Sequence, residues 1–409
     1  MNRTISRYIE KNILYPKVVA ETPAKSLGII VIIPCYNEPD IRSALMSLVT
    51  CEKPGCDVEV LVSINAGEKD NNSVKAQNAQ SLLQIEGLQK DLPQWLKIYG
   101  FIHNELPHKK AGVGLARKIG MDEAVLRFVS IKNEEGVLVC FDADSRCAPN
   151  YLIEIEKHFT KKGIGSASIH YEHPVEGVAF EAPIYQSIIQ YELHLRYFIY
   201  MQRILGLPFA YHTIGSSMAC TVSAYCAVGG MNQRKAGEDF YFIHKLVKYG
   251  KHSELNSTKV VPSPRISDRV PFGTGKAVGD MLSLEENLYH TYHPDSFREM
   301  RPLIQGLRAI YDKKSFDVGL TKGLQEFFKI SGAEKELLRI LKNTKDFDAF
   351  SQKFWHWFDA FLLMKYLHFM RDNYYANISV LDAVNTVEER QFDSAIEALI
   401  YYRERDVIS

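Results

Sequence analysis

The chain has no long apolar run: nothing in its 409 residues approaches the roughly 20 consecutive apolar positions that a bilayer-spanning helix needs. It has no net charge either. Lysine plus arginine total 49 and aspartate plus glutamate total 49, a balance that argues against broad binding to nucleic acid and leaves room only for a local basic pocket. The N-terminal MNRTISRYIEKNILYP alternates charged and apolar residues and lacks the apolar core of a signal peptide. There is no internal repeat and no low-complexity tail. The seven cysteines (35, 51, 56, 140, 147, 220 and 226) are odd in number, and several fall in apolar runs. They read as reduced, mostly buried thiols of a cytosolic protein. Cys51 and Cys56 have no neighbouring Cys or His to complete a zinc site. Gly273-Thr274-Gly275-Lys276 is not a phosphate-binding P-loop, because Val270 stands where the upstream glycine belongs.

What remains is ordinary globular material, 46% hydrophobic and 24% charged, long enough for one to three domains. The most informative stretch is VLVCFDADSRCAPNYL, residues 137–152. Val137, Leu138, Val139 and Phe141 read as a buried strand that runs into Asp142-Ala143-Asp144, and Pro149 suits the start of a following helix. The two carboxylates share a face if the strand continues, and a turn would also bring them into one pocket. Paired acids of this kind suit a divalent cation shared with a substrate's phosphates. Read alone, the pair suits a solvated turn with two capping acids somewhat better than a metal site.

Along the chain, residues 1–26 read as a helical lead-in and a linker around Pro16 and Pro23. Leu27–Ile33 is a continuous apolar strand that ends in Pro34-Cys35-Tyr36-Asn37-Glu38-Pro39, and Asp40 caps the next helix. Strands at Val58–Ile64 and Leu96–Ile102, with helices over 76–90 and an amphipathic 109–131, complete a strand–helix alternation. The pattern predicts an α/β class fold with a mostly parallel sheet, and such sheets bind ligands beyond the carboxyl ends of their strands. Tyr36–Glu38, the segment after Ile64, and Asp142–Asp144 all stand at such ends. A further strand is expected at Ile164–His170, a mixed strand or turn at His212–Val222, a helix from Asp239 to Tyr249, and a short strand at Val260–Val261. Residues 262–279, PSPRISDRVPFGTGKAVG, read as a loop. The aromatic-rich helix 184–205 reads as a helix packed on the core, with a membrane-surface or acceptor-lining role as the other reading. From about residue 280 helical patterns dominate.

The ordered set Pro34-x-Tyr36-Asn37-Glu38, Gly112–Arg117 opening a helix, Asp142-x-Asp144, and Gly237-Glu238-Asp239 resembles the family 2 glycosyltransferases with the GT-A fold, over residues 27–279. The helical remainder, 280–409, lies outside the resemblance. It implies a cytoplasmic enzyme, with peripheral attachment at the inner face of the cell membrane left open. That enzyme would move a sugar with inversion from a nucleotide-diphosphate sugar to a glycan, lipid-linked or small-molecule acceptor. It implies Mn²⁺ or Mg²⁺ held by Asp144, with Asp142 facing the ribose or the metal. Donor-binding roles fall on Pro34, Tyr36, Glu38, Asn65, Arg117, Asp142, Arg265 and Arg269. Asp239 would be the base that takes the acceptor proton, with Glu238 beside it. Arg265, Arg269 and Lys276 would clamp the diphosphate, with Gly273 and Gly275 letting the loop close. His108 and Lys109 would lie near the donor, and His212, His252, His290 and His293 are each candidate third metal ligands.

There are departures. Ser63-Ile64-Asn65-Ala66-Gly67-Glu68 replaces the Asp-Asp-Gly-Ser common in the family after the second strand, which puts the nucleobase in doubt. Lys118 stands where asparagine is frequent. The Gln-x-x-Arg-Trp signature of processive members is absent, which favours single-sugar transfer. Two other function classes fit the same residues: a GT-A-like module that binds nucleotide sugars without catalysis, and a nucleotidyltransferase.

Overall fold

The computed structural model describes residues 2–15, 17–269, 271–284 and 288–408; Pro16 of the expected linker and Val270 of the expected loop lie outside the described residues. The chain forms two compact units. One comprises Met1–Tyr185, Thr213–Gly279 and Arg405–Ser409, and the other Gln186–His212 and Asp280–Glu404. The N-terminal lead-in thus belongs with the sheet, whereas most of the aromatic-rich helix belongs with the helical unit.

The first unit is built on an eight-stranded sheet. In chain order its strands are β1 (Leu27–Cys35), β2 (Asp57–Gly67), β3 (Leu96–Leu106), β4 (Val137–Cys140), β5 (Arg146–Cys147), β6 (Ser166–Tyr171), β7 (Met218–Thr221) and β8 (His252–Val261). They lie side by side as β3-β2-β1-β4-β7-β6-β8-β5. Only β7 and β5 run against the rest. This is the expected mostly parallel α/β sheet. The helices of the unit are α1 (Arg3–Asn12), α2 (Ile41–Val49), α3 (Asn72–Leu88), α4 (Val113–Ser130), α5 (Tyr151–Phe159), the start of α6 (Ala182–Ile204), α7 (Val222–Ala227), α8 (Glu238–Tyr249) and the first two turns of α9 (Thr274–Leu282).

Strand β1 shows why the sheet is covered on both faces. Its residues alternate between two cores: Ile29, Val31 and Ile33 pack with Leu45 and Leu48 of α2 and Ile155 of α5. Ile30 and Ile32 pack with Met121, Val125 and Phe128 of α4 and Leu246 of α8. A side-chain period of two delivers one set to each face. Pro34 is tolerated in this central strand because β4 has already ended, its last pairing being Ile32 with Cys140, so no ladder bond is lost there.

Several elements differ from the sequence expectation. The strands β3 and β8 are eleven and ten residues long, because half-buried polar positions continue their ladders past the apolar runs. The last third of the expected loop 262–279 belongs to the helix α9, entered through Gly273 at a φ of 102°. Helix α4 is not amphipathic in use: Arg117, Lys118, Asp122, Glu123 and Arg127 are all buried. The lead-in and helices α7 and α8 cover the face that the pattern assigned to solvent.

The second unit is helical, with short helices from Pro294–Arg298 to Val380–Val387 and longer ones such as Ala360–Asn373. Its only described strands are β9 (His290–Thr291) and β10 (Ile378–Ser379), a two-residue antiparallel pair. Among the described residues no helix is long and apolar enough to cross a membrane.

Candidate active site

The carboxyl edge of the sheet gathers the acids that the sequence singled out. Beyond β1, Asn37 takes a left-handed conformation with φ of 47°, which turns the buried Glu38 back toward the sheet edge. Helix α3 holds this turn with polar side chains. Asn78 accepts the Asn37 N–H at 3.0 Å, while Gln77 and Ser81 donate to the Glu38 carbonyl at 3.0 and 2.9 Å. Asn65 donates from its amide to the Cys35 carbonyl at 2.9 Å, so it steadies the same turn from β2. Tyr36 lies beside Asp70, and burial together with that carboxylate raises its phenol pKa.

Strand β4 ends at Cys140, so Asp142 and Asp144 project from a turn rather than from the strand, with the Ser145 N–H donating to the Asp142 carbonyl at 3.1 Å. Each acid meets a different arginine. Arg117, from the second turn of α4, donates one guanidinium nitrogen to Asp142 and another to Glu238. Glu238 opens α8 and is buried, and Asp239 beside it accepts the Phe240 N–H at 2.7 Å. A Cβ at Gly215, just before β7, would stand 2.7 Å from the Arg117 guanidinium, so a residue without a side chain is needed there. Gly114 has a similar reason: a Cβ there would lie 2.7 Å from the Asn232 carbonyl oxygen, where the segment leading to Glu238 crosses the start of α4.

The second arginine is Arg265, four residues beyond β8. Its Nη1 and Nη2 donate to the two Glu38 oxygens at 3.0 and 2.5 Å, and its Nε lies 2.6 Å from Asp144 Oδ2. Arg269 donates to the Asn37 carbonyl at 3.1 Å, stands 5.8 Å from the Tyr36 ring centre, and comes within 3.9 Å of Glu38 Oε2. Gly275 packs rather than hinges: a Cβ there would lie 2.8 Å from the Ser267 backbone nitrogen.

Acid outweighs base here. Glu38, Asp142, Asp144, Glu238 and Asp239 share Arg117, Arg265 and Arg269. Burial raises the Asp144 carboxyl to about 6, with Asp142 and Glu38 adding to the rise and Arg265 opposing it. Glu238 and Asp239 are also raised by burial, with Arg117 pulling the other way. One shared guanidinium does not offset the loss of water around Glu238 and Asp239.

Of the candidate third metal ligands, His252 sits on β8 with its two ring nitrogens 2.8 and 3.2 Å from the hydroxyls of Ser166 and Ser168, and burial lowers its pKa to about 3. His212, His290 and His293 belong to the second unit. No described group of three His, Cys, Asp or Glu side chains has the arrangement of a metal site. Asp142 and Asp144, with side chains 36% and 27% exposed, instead fit a cation that takes its other oxygens from a substrate's phosphates and from water. His108 donates its backbone N–H to Glu68 at 3.2 Å, and Lys109 is exposed in the same turn.

Sequence reasoning missed Gln77, Asn78, Ser81, Asp70 and Gly215. The first three had one signal, polar residues at positions 77, 78 and 81 on one face of a helix. Gly215 had none.

No family model matches the chain, and no curated protein matches it in sequence. Solved structures of S. aureus TarS are similar to it. The fragment 1–349 in complex with UDP-GlcNAc is 14% identical with a TM-score of 0.42, covering 78% of this chain and 91% of that one. The same fragment with UDP is 14% identical with a TM-score of 0.40, over 73% and 98%. A longer TarS structure is 16% identical with a TM-score of 0.39, and the alignment covers 85% of this chain but 54% of that one.

Proposed function

We propose that this edge binds a nucleotide-diphosphate sugar and passes its hexosyl group, with inversion, to an acceptor hydroxyl. The observation that carries the reading is the Arg117 bridge. By holding Asp142 and Glu238 together it ties the Asp142–Asp144 turn to the start of α8, so a donor corner and a candidate base come from one rigid cluster.

In this reading Asp144, with Asp142 beside it, would hold Mg²⁺ or Mn²⁺ together with the donor's phosphates; the ion supplies charge neutralisation to the departing diphosphate. Arg265 and Arg269 engage the phosphates through their planar, multidentate guanidinium groups. Tyr36, Pro34 and the turn braced by Asn65 and Asn78 line the nucleoside end. Asp239 takes the acceptor proton as its oxygen attacks. It suits that task better than Glu238, which is buried and already held by Arg117, whereas Asp239 keeps partial exposure at a helix N-terminus. Its raised pKa makes it a stronger proton acceptor than an exposed aspartate.

The test is a thermal-shift screen of nucleoside-diphosphate sugars with and without Mn²⁺, followed by single-turnover transfer. A donor that binds the folded state raises the melting temperature. Asp239→Asn is expected to keep that shift and to lose about 10²–10⁴ in the transfer rate. If no nucleotide sugar stabilises the protein, or if the variant transfers at the wild-type rate, the reading is wrong.

A further inference from the structure

We infer that Arg265 is the resident counter-ion of the acidic corner, and that Asp144 takes up a divalent cation only after a diphosphate has drawn Arg265 away. This rests on the proposed donor site and adds an order of binding to it. Arg265 Nε, Nη1 and Nη2 all face carboxylate oxygens, at 2.6, 3.0 and 2.5 Å, so the guanidinium lies between Asp144 and Glu38 as a cation would. An ion held by Asp144 would compete with the positive charge of Arg265 for the same carboxylate, and repulsion at such range opposes it.

The corner is built so that Arg265 can leave. Glu38 is 2% exposed and cannot stay uncompensated, but Arg269 already stands 3.9 Å from its Oε2, anchored on the Asn37 carbonyl. Arg265 is 25% exposed and belongs to a segment outside any strand or helix. A diphosphate offers the same planar group more oxygens and more charge than one aspartate does. Arg117 contrasts with this. It is buried, fixed by Asp142 and Glu238, and packed on Gly215, so it is not exchangeable.

The experiment is a Mn²⁺ titration of the full chain, followed by the electron paramagnetic resonance signal of free Mn²⁺. Wild type, Arg265→Met, Arg265→Lys and Arg269→Met are compared alone and with UDP, GDP, CDP or ADP. With Mn²⁺ alone, Arg265→Met is expected to bind at least about tenfold more tightly than wild type, because removing a nearby like charge is worth that much or more at a partly exposed site. Arg265→Lys, which keeps the charge, and Arg269→Met should stay near wild type. A diphosphate should tighten Mn²⁺ binding more in wild type than in Arg265→Met, since only wild type must first release the arginine. Arg265→Gln replaces Arg265→Met if the latter does not fold. Equal Mn²⁺ affinity of wild type and the neutral variants, without nucleotide, overturns the inference and leaves the metal reading standing. No Mn²⁺ binding by any of the proteins, even with diphosphate, overturns both.

Discussion

The two ends of helix α4 carry buried charge in opposite ways. Toward the C-terminal end, Arg127 meets Glu59 of β2 with two nitrogens on two oxygens, one of them at 2.6 Å. Midway along the helix Asp122 accepts from Tyr8 at 2.7 Å and Tyr225 at 2.9 Å and lies 2.9 Å from Lys118, which itself follows Arg117 directly in the chain. Arg127 and Lys118 thus each have one carboxylate, and two tyrosine hydroxyls complete the set around Asp122. Near the N-terminal end Arg117 is divided between Asp142 and Glu238, and the neighbouring acids draw on only two more arginines. Glu123, buried midway along the helix like Asp122, is met by the Val18 and Val19 N–H groups at 2.9 and 3.3 Å, so each of the acids away from the sheet edge has partners of its own. The sheet-edge end carries surplus acid, which makes it a place where further positive charge is at home.

The contrast predicts different failures. Arg117→Met should have the largest effect. It strands Glu238 and Asp142 near each other without their shared cation, so about 3–5 kcal/mol of stability should go together with nearly all transfer activity. Gly215→Ala should reproduce part of this by pushing the guanidinium aside, measured as a lower melting temperature and a reduced transfer rate. Arg127→Met should cost a similar 3–5 kcal/mol by denaturant melt, since it leaves Glu59 buried and alone, yet at a permissive temperature the transfer rate per folded molecule should hold. Replacing the pair, Arg127→Met with Glu59→Leu, should recover most of that loss. No companion substitution of Glu238 should restore activity to Arg117→Met. If the paired replacement at the sheet edge also recovers function, the two ends are alike and the comparison fails.

The sequence carried the sheet edge better than it carried what holds the edge in place. Asp142, Asp144, Glu38 and the pair Glu238-Asp239 stand at strand or helix ends that apolar runs mark out, so their meeting follows from topology. Local patterning could not pair Arg117 with Glu238, which lies 121 residues away, or Arg265 with Glu38, 227 residues away. Those contacts depend on which strands neighbour each other, and β8 reaches the site through the antiparallel β7 and the crossover to β6. The same limit explains α4. Its charged residues read as a solvated face because nothing in residues 109–131 tells that Tyr8, Val18 and Val19 come to cover them. In α9 the glycines of GTGKAVG favoured a loop reading, yet Gly275 stands there because Ser267 approaches too closely for a Cβ, a tertiary reason that local patterning does not contain.

The smallest expected effect is a pH slope at the sheet edge. Asp144 sits at about 6, above the ordinary aspartate value of 3.8. A carboxyl whose pKa is raised by folding contributes stability that is fully present below its unfolded pKa and lost as pH climbs through the folded one. Wild type should therefore lose stability relative to Asp144→Asn between about pH 4 and pH 7, by at most about 3 kcal/mol, and the difference should level off above that. The attraction of Arg265 for the ionised carboxylate is already contained in that slope, because it opposes the rise that burial causes. Urea melts of both proteins across this range, without nucleotide or divalent ions, give the slope directly. A difference that grows in favour of wild type as pH rises would mean that Arg265 more than offsets the burial of Asp144. The surplus of acid at the edge would then be one of counting only, with no free-energy consequence for a cation to relieve.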